Sequence, residues 1–342
     1  MFHKKLNIKT KYLFIPVIIV FAMALAGILV EGYIRNYKLY YYQETQGGWS
    51  KISEAPVLGN SETGTLFDPD VIIQDNTYLM YVSKRSDHSI VLSKSEDGIK
   101  WGGLQEVLMP EENSDWEQKV NRANVINKDG IWYMWYTGQA DNVSSIGVAT
   151  SSDGKNFKKF NKNPIIISEY DHEGVSVMNP CVIWDGEEQV FKMWYAAGEN
   201  YEPDVLCYAV SKDGFTWKKY KQNPVLFPND DEIYDQKKVG GCDVIKLPDQ
   251  SYIMFYIGYQ DVDTARICLA ASSDGIDDWT RISDNPIISA SKNSWDRYAV
   301  YKPSAYYNKD KQTWYLWYNG RGKDGEFIGA VFNKCKIYNI ID

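Results

Sequence analysis

Two carboxylates straddle a proline at the head of an apolar run. The stretch "LFDPDVI", residues 66–72, sets Asp68 and Asp70 directly before Val71, Ile72 and Ile73. A carboxylate placed there either closes a turn, since Asp-Pro is common turn chemistry, or is held at a rim as a base or nucleophile. The stretch alone does not choose between the two, so the elements that position Asp68 have to be found first.

Those elements repeat. "YLMYVS", "WYMWYTG", "FKMWYAAG", "YIMFYIG" and "WYLWYNG" recur along the chain, with Tyr81, Tyr136, Tyr195, Tyr256 and Tyr318 spaced 55, 59, 61 and 62 residues apart. Each follows a β-rich segment: "DPDVII", "RANVIN", "NPCVIW", "CDVIKL" and "KPSAYY". Four are followed by a strand and a Ser-x-Asp-Gly turn ("SEDGIKW", "SSDGKNF", "SKDGFTW", "SSDGIDDW"), where Asp-Gly supplies the left-handed geometry of a tight reversal. Each unit therefore predicts four antiparallel strands, and five units predict an all-β, five-bladed β-propeller. The fifth unit lacks its last strand, yet "WSKISEAPVL" at 49–58 matches "WKKYKQNPVL" at 217–226. The N-terminal segment is thus expected to complete the last blade and close the ring, removing an open edge. Trp135, Trp194, Phe255 and Trp317 recur and are assigned to packing between blades.

Function is sought where the repeat breaks. Aligning the first strands puts Asp68, Arg122, Asn179, Gly241 and Lys302 at one position, and Asp70, Asn124, Cys181, Asp243 and Ser304 two residues later on the same strand face. Packing would call for similar apolar residues in every blade. A ring of mixed charge is instead what a polar ligand pocket presents. Upstream loops repeat the acids Glu117, Asp171, Asp235 and Asp296, which reads as loop architecture, whereas His172, Glu173, Lys237 and Lys238 do not repeat.

With these motifs in view the chain resembles the five-bladed propeller glycosidases, glycoside hydrolase families 43, 32 and 68 and the related family 130, over about residues 46–342. The resemblance implies a carbohydrate substrate. It places the catalytic base or nucleophile at Asp68 of "FDPDV". It also implies an acid at the third-blade position occupied by Asn179-Pro180, and a general-acid Glu in the fourth-blade segment that reads "KVGGCDV". Glycoside hydrolysis usually needs two carboxylates about 5 to 10 Å apart, one of them protonated. Asp243 and Glu173 are the replacements expected to supply that proton. Asp70, Arg122, Asn124, Asn179, Tyr301 and Lys302 are the expected substrate contacts, with Arg122 and Lys302 able to hold an anion: phosphate, which family 130 uses as the attacking group, or an acidic sugar. The two main readings are a glycan-cleaving enzyme and a propeller that binds glycan without cleaving it; a protein-interaction propeller leaves the polar ring unexplained.

Composition bounds the rest. A net charge of −8 argues against nucleic acid as a partner, and the 3 His show no metal-ligand spacing. No cofactor is expected; an axial calcium, as in some relatives, stays open. The five Cys are expected to be small buried hydrophobes rather than a disulfide framework. Residues 1–11 form a basic tail, and Tyr12–Val30 is an uncharged run long enough to span a bilayer, followed by a linker over 31–45 and the propeller over 46–342. The expectation is a single-pass anchor with the propeller, a monomer, outside the cell membrane; the alternative is a cleaved signal peptide.

Overall fold

The computed structural model describes residues 44–111 and 113–341. A two-residue strand, β1 (Ser50–Lys51), precedes five sheets of four antiparallel strands. Blade 1 contains β2 (Leu66–Gln74), β3 (Thr77–Lys84), β4 (Ser89–Ser95) and β5 (Gln105–Leu108); blade 2 contains β6 (Lys119–Lys128), β7 (Ile131–Ala140), β8 (Val143–Ser151) and β9 (Lys158–Lys159). Blade 3 is β10 (Ser176–Asp185), β11 (Val190–Gly198), β12 (Pro203–Ser211) and β13 (Trp217–Lys219), and blade 4 is β14 (Lys238–Lys246), β15 (Tyr252–Asp261), β16 (Thr264–Ser272) and β17 (Thr280–Arg281). Blade 5 is β18 (Ala299–Asn308), β19 (Thr313–Gly322) and β20 (Gly325–Asn333), completed by β1, whose Ser50 and Lys51 pair with Phe332 and Val331. The expected closure extends further: Leu58 bridges Ile328 as Ile166, Leu226 and Ile288 bridge their own blades. Among the described residues no helix is long and apolar enough to cross a membrane. The span at 12–30, the basic tail and nearly all of the linker lie outside the described residues.

The core is five layers, one between each pair of neighbouring sheets. Trp135, Ile146 and Val148 of blade 2 pack on Val177, Met193 and Tyr195 of blade 3; Met178, Trp194 and Leu206 of blade 3 pack on Val244, Met254 and Tyr256 of blade 4. Hydrogen bonds fasten adjacent sheets at repeated points. Trp135, Trp194 and Trp317 each donate Nε1–H to the carbonyl of the Asp-Gly turn in the next blade, at Gly214, Gly275 and Gly98. The fourth such bond comes from Tyr81, whose hydroxyl donates to Gly154 at 2.8 Å. Tyr81 is therefore the counterpart of the tryptophans, and Val82 that of Tyr136, Tyr195, Tyr256 and Tyr318. The sequence alignment of blade 1 was one residue out, because Tyr is common to both columns.

The second fastening is a triad of acid, tyrosine and base. The hydroxyls of Tyr136, Tyr195, Tyr256 and Tyr318 donate to Glu117, Glu173, Asp235 and Asp296. The same acids accept from Lys159, Lys219, Arg281 and Lys51 on the outermost strands. Lys51 is carried by β1, so the closing strand also completes the last triad. All five cysteines are free thiols.

Candidate active site

Each inner strand carries one extra residue near its start: pairing to the second strand slips between Phe67 and Asp70, Asn121 and Asn124, Met178 and Cys181, Gly240 and Cys242, and Tyr301 and Ser304. A bulge of this kind re-aims a side chain out of the ladder. Asp68, Arg122, Asn179 and Lys302 sit in it at φ 53°, 55°, 51° and 35°, a left-handed conformation that costs a non-glycine residue about 1–3 kcal/mol. The preceding blade stabilises it by accepting the bulge N–H: Asp68 donates to Asn319 Oδ1 (3.2 Å), Arg122 to Ser83 Oγ (2.8 Å) and Asn179 to Thr137 Oγ1 (3.1 Å). Asp68 is thus not a simple turn residue but one aimed inward by strained backbone.

The bulges open onto a cavity of about 290 Å³ lined by Asp68, Arg122, Asn179 and Tyr301. Arg122 Nε donates to Asp68 Oδ2 at 3.0 Å, so the carboxylate is oriented by a guanidinium from the next blade. Asn179 Oδ1 is buried with no hydrogen-bond partner among the described residues, an acceptor that a sugar hydroxyl would satisfy.

Asp70, Asn124, Asp243 and Lys302 stand elsewhere. The second position of each inner strand accepts a backbone N–H from the next blade: Asp70 from Val125 (2.8 Å), Asn124 from Val182 (2.8 Å), Cys181 from Val244 (3.2 Å), Asp243 from Ala305 (2.6 Å) and Ser304 from Val71 (2.9 Å). Five bonds close a ring beneath the cavity. Lys302, 1% exposed, donates Nζ–H to Cys242 O at 2.7 Å inside this ring. Burial pushes Asp70 up to about 7 and also raises Asp243, while Lys302 opposes both. Burial works to lower Lys302, but Asp243, followed by Cys181, Cys242 and Asp70, outweighs it and holds the ammonium above its ordinary value. Asp70, Asn124 and Asp243 share a strand face with one another, as the period-two pattern required, whereas Lys302 reaches the ring from the bulge position itself. The bulge, invisible in the pattern, separates their direction from that of Asp68.

Glu173 is also corrected. It does not line the cavity; it is the acid of the blade 3 triad, fully buried, bonded to Tyr195 (2.7 Å) and Lys219 (2.8 Å). The recurring acid of that loop is Glu173 rather than Asp171. The fourth-blade position that the resemblance gives to a Glu is Gly241, and the space beside it is taken by side chains of neighbouring blades. A Cβ at Gly241 would lie 2.3 Å from Asn179 Nδ2 and 3.2 Å from Lys302 Cδ, so the amide of blade 3 fills the space a side chain would need.

Two carboxylates that sequence reasoning missed line the same cavity, Glu202 and Glu326. Burial raises both above their ordinary value. Glu326 has both oxygens engaged by groups that only donate, Arg85 Nη2 (3.0 Å) and Asn319 Nδ2 (2.9 Å). Its role is to hold Asn319, which in turn accepts from Asp68. Glu202 faces Tyr259, whose hydroxyl is able to donate or accept, and so has a neighbour suited to either protonation state. Its loop is fixed by Lys238, which donates to Glu199 Oε2 (2.7 Å) and to the Glu202 carbonyl (2.9 Å). The available signal was loop length: four residues connect β11 to β12, as they do β3 to β4, where the other blades use two.

Among the described residues no group of three or more His, Cys, Asp and Glu is placed to hold a metal ion. For an axial cation such as calcium the ring does not fit, since the Lys302 ammonium already supplies the positive charge between Asp70 and Asp243.

Known proteins resemble the chain in both sequence and fold. A 1,2-beta-oligomannan phosphorylase of Thermoanaerobacter sp. (strain X514) is 26% identical over 240 residues, 66% of this chain and 73% of that protein. A solved glycoside hydrolase superposes with a TM-score of 0.68 at 20% identity, covering 89% of this chain and 96% of the other. A structure from the family 130 mannoside phosphorylases, a family reported to contain glycoside hydrolases targeting β-1,2 mannosidic linkages, gives a TM-score of 0.62 at 17% identity, covering 85% of this chain and 95% of the other. The model of glycosyl hydrolases family 43 matches residues 56–331, from the completing segment of the last blade to its final strand. On that match, and with the five sheets it spans, the chain belongs to glycosyl hydrolases family 43 and is a glycan-processing enzyme.

Proposed function

We propose that the enzyme cleaves a glycosidic bond in the cavity over the axial ring, with Asp68 as base or nucleophile and Glu202 as proton donor. The observation that carries this reading is the pairing of an Arg122-oriented carboxylate with a second, burial-raised carboxylate lining the same cavity. An ionised acid and a protonated acid are what glycoside cleavage asks for. Asp68 is bridged to the Arg122 guanidinium; Glu202, raised by burial, is the group able to keep its proton to higher pH.

The cavity suits one or two sugar units. Tyr201, Tyr259 and Tyr301 supply aromatic surface and the Asn179 amide a hydroxyl-binding group. We further propose, from the apolar run at 12–30, that the enzyme is an exported monomer tethered to the membrane; protease accessibility of the propeller on intact cells checks that part.

The test of the chemistry is Asp68→Asn on a panel of neutral and acidic glycans. Turnover should fall about 10²–10⁴-fold while oligosaccharide retention persists. Equal turnover by variant and wild type would remove Asp68 from the mechanism.

A further inference from the structure

The cavity is rich in cations, although the protein as a whole carries a charge of −8. Most of these cations are engaged. Arg122 holds Asp68, Arg85 pairs with Glu326 at 3.0 Å, Lys84 pairs with Asp87, and Arg321 donates to the Asp263 carbonyl at 3.1 Å. Lys119 and His88 are different. Lys119 is exposed with no ion pair among the described residues, and the His88 ring is likewise exposed without a hydrogen bond.

The two are held together by backbone, not by chance proximity of flexible chains. Val120 N–H donates to the His88 carbonyl at 3.0 Å, tying the start of β6 to the four-residue connection between β3 and β4. Arg85 at the other end of that connection donates its backbone N–H to Thr65 O at 3.0 Å, and its guanidinium lies 4.7 Å from the centroid of the Phe67 ring. With only Nη2 committed to Glu326, its remaining N–H groups are available. Burial lowers the His88 pKa, and Lys119 and Arg85 are near enough to lower it further, with Asp87 opposing them. Neutral sugar needs no such arrangement; an anion does. The cations first expected in this role are occupied: Arg122 by Asp68, Lys302 by the axial ring.

We propose that Lys119 and His88, flanked by Arg85, form an anion subsite on the wall shared by blades 1 and 2, and that the glycan substrate presents a carboxylate or phosphate group there. The inference rests on the proposed glycan-cleaving function and names its substrate class. Carboxylate on a uronic acid and phosphate on a substituted sugar share the chemistry; free inorganic phosphate is a separate case that the test distinguishes.

The experiment compares uronic-acid oligosaccharides with their carboxyl-reduced counterparts, and phosphate-substituted with unsubstituted glycans, each with and without inorganic phosphate. Wild type should favour the anionic member of a pair by about 10- to 100-fold in KM, the scale of a charge-assisted contact. Lys119→Gln and His88→Gln should erase that ratio, and Lys119→Arg should restore it, which a folding defect would not do. Which anionic pair shows the ratio identifies the source. No preference in wild type, or a preference untouched by either Gln variant, would overturn the proposal. So would cleavage of the neutral glycan that requires inorganic phosphate, releases sugar phosphate and shows a raised phosphate KM in Lys119→Gln. If nothing is cleaved, calorimetric binding of the same pairs to wild type decides the subsite on its own: a retained anionic preference supports it and would leave only the cleavage reading at fault, whereas equal affinities would overturn the subsite.

Discussion

At the scale of single residues, the division of labour between Glu202 and Glu326 turns on what their neighbours can do with a proton. Arg85 and the Asn319 amide only donate to Glu326, so protonating it would set donor against donor. Tyr259 accepts or donates, and burial keeps the Glu202 proton on to higher pH than an ordinary glutamate would. A general acid works while protonated, so the rate should hold as pH rises through the usual carboxylate range and fall only through the raised Glu202 value. Glu202→Gln should lower kcat/KM about 10²–10⁴-fold and flatten that alkaline limb. The loss should shrink on aryl glycosides whose leaving groups need no proton. A Glu202→Gln enzyme with an unchanged pH–rate profile would exclude it as the donor. Asp68 was legible in the sequence because its counterparts in the other blades differ. Glu202 was not, since it belongs to a connecting loop with no repeat to differ from.

At the scale of elements, the inner strand and the loop before it separate structure from chemistry. The alternation of side chains put Asp68 and Asp70 on one face, and the extra residue in the inner strand undid that prediction in blades 1 to 3, while Lys302 of blade 5 still reaches the ring. Bulges leave little trace in a sequence, because one unpaired residue changes direction without changing composition. The acid–tyrosine–base triads carry a matching lesson: Glu173 looked singular only because Asp171 took its place in the alignment. Its carboxyl is fully buried, and although burial pushes it upward, Lys219, the Glu169 N–H and Tyr195 together hold it below its ordinary value. Its contribution is therefore present at neutral pH and lost as pH falls through the folded pKa. Glu173→Ala removes the Tyr195 and Lys219 bonds, Lys219 keeping Glu169 and the Ile167 carbonyl, and should cost about 1–3 kcal/mol in urea denaturation. Activity per folded molecule should be kept, and a selective loss of turnover in a fully folded variant would return Glu173 to the catalytic set.

For the whole molecule, closure by β1 is the feature on which the other blades depend. Trp49 packs edge-on against Phe255 with ring centroids 6.0 Å apart, Lys51 completes the last triad, and Leu58 continues the pairing along β20. A chain beginning at Pro56 lacks Trp49 and Lys51, and should lose about 6 kcal/mol or more relative to one beginning at Glu44. The bare β20 edge should also self-associate, visible by light scattering. Equal stability of the two chains would mean that the ring is held by its other contacts. This closure was readable from sequence, because a displaced strand keeps its Trp, Lys and Pro-Val-Leu spacing wherever in the chain it lies. The geometry of the cavity was not, since it arises from five blades meeting.

The axial ring has a consequence for traffic. Five side chains bonded to five backbones, with a lysine wedged among them, make the cavity a blind alley rather than a tunnel. Whatever binds must back out by the way it came. A glycan bound there, as proposed, cannot be threaded along the axis past the ring.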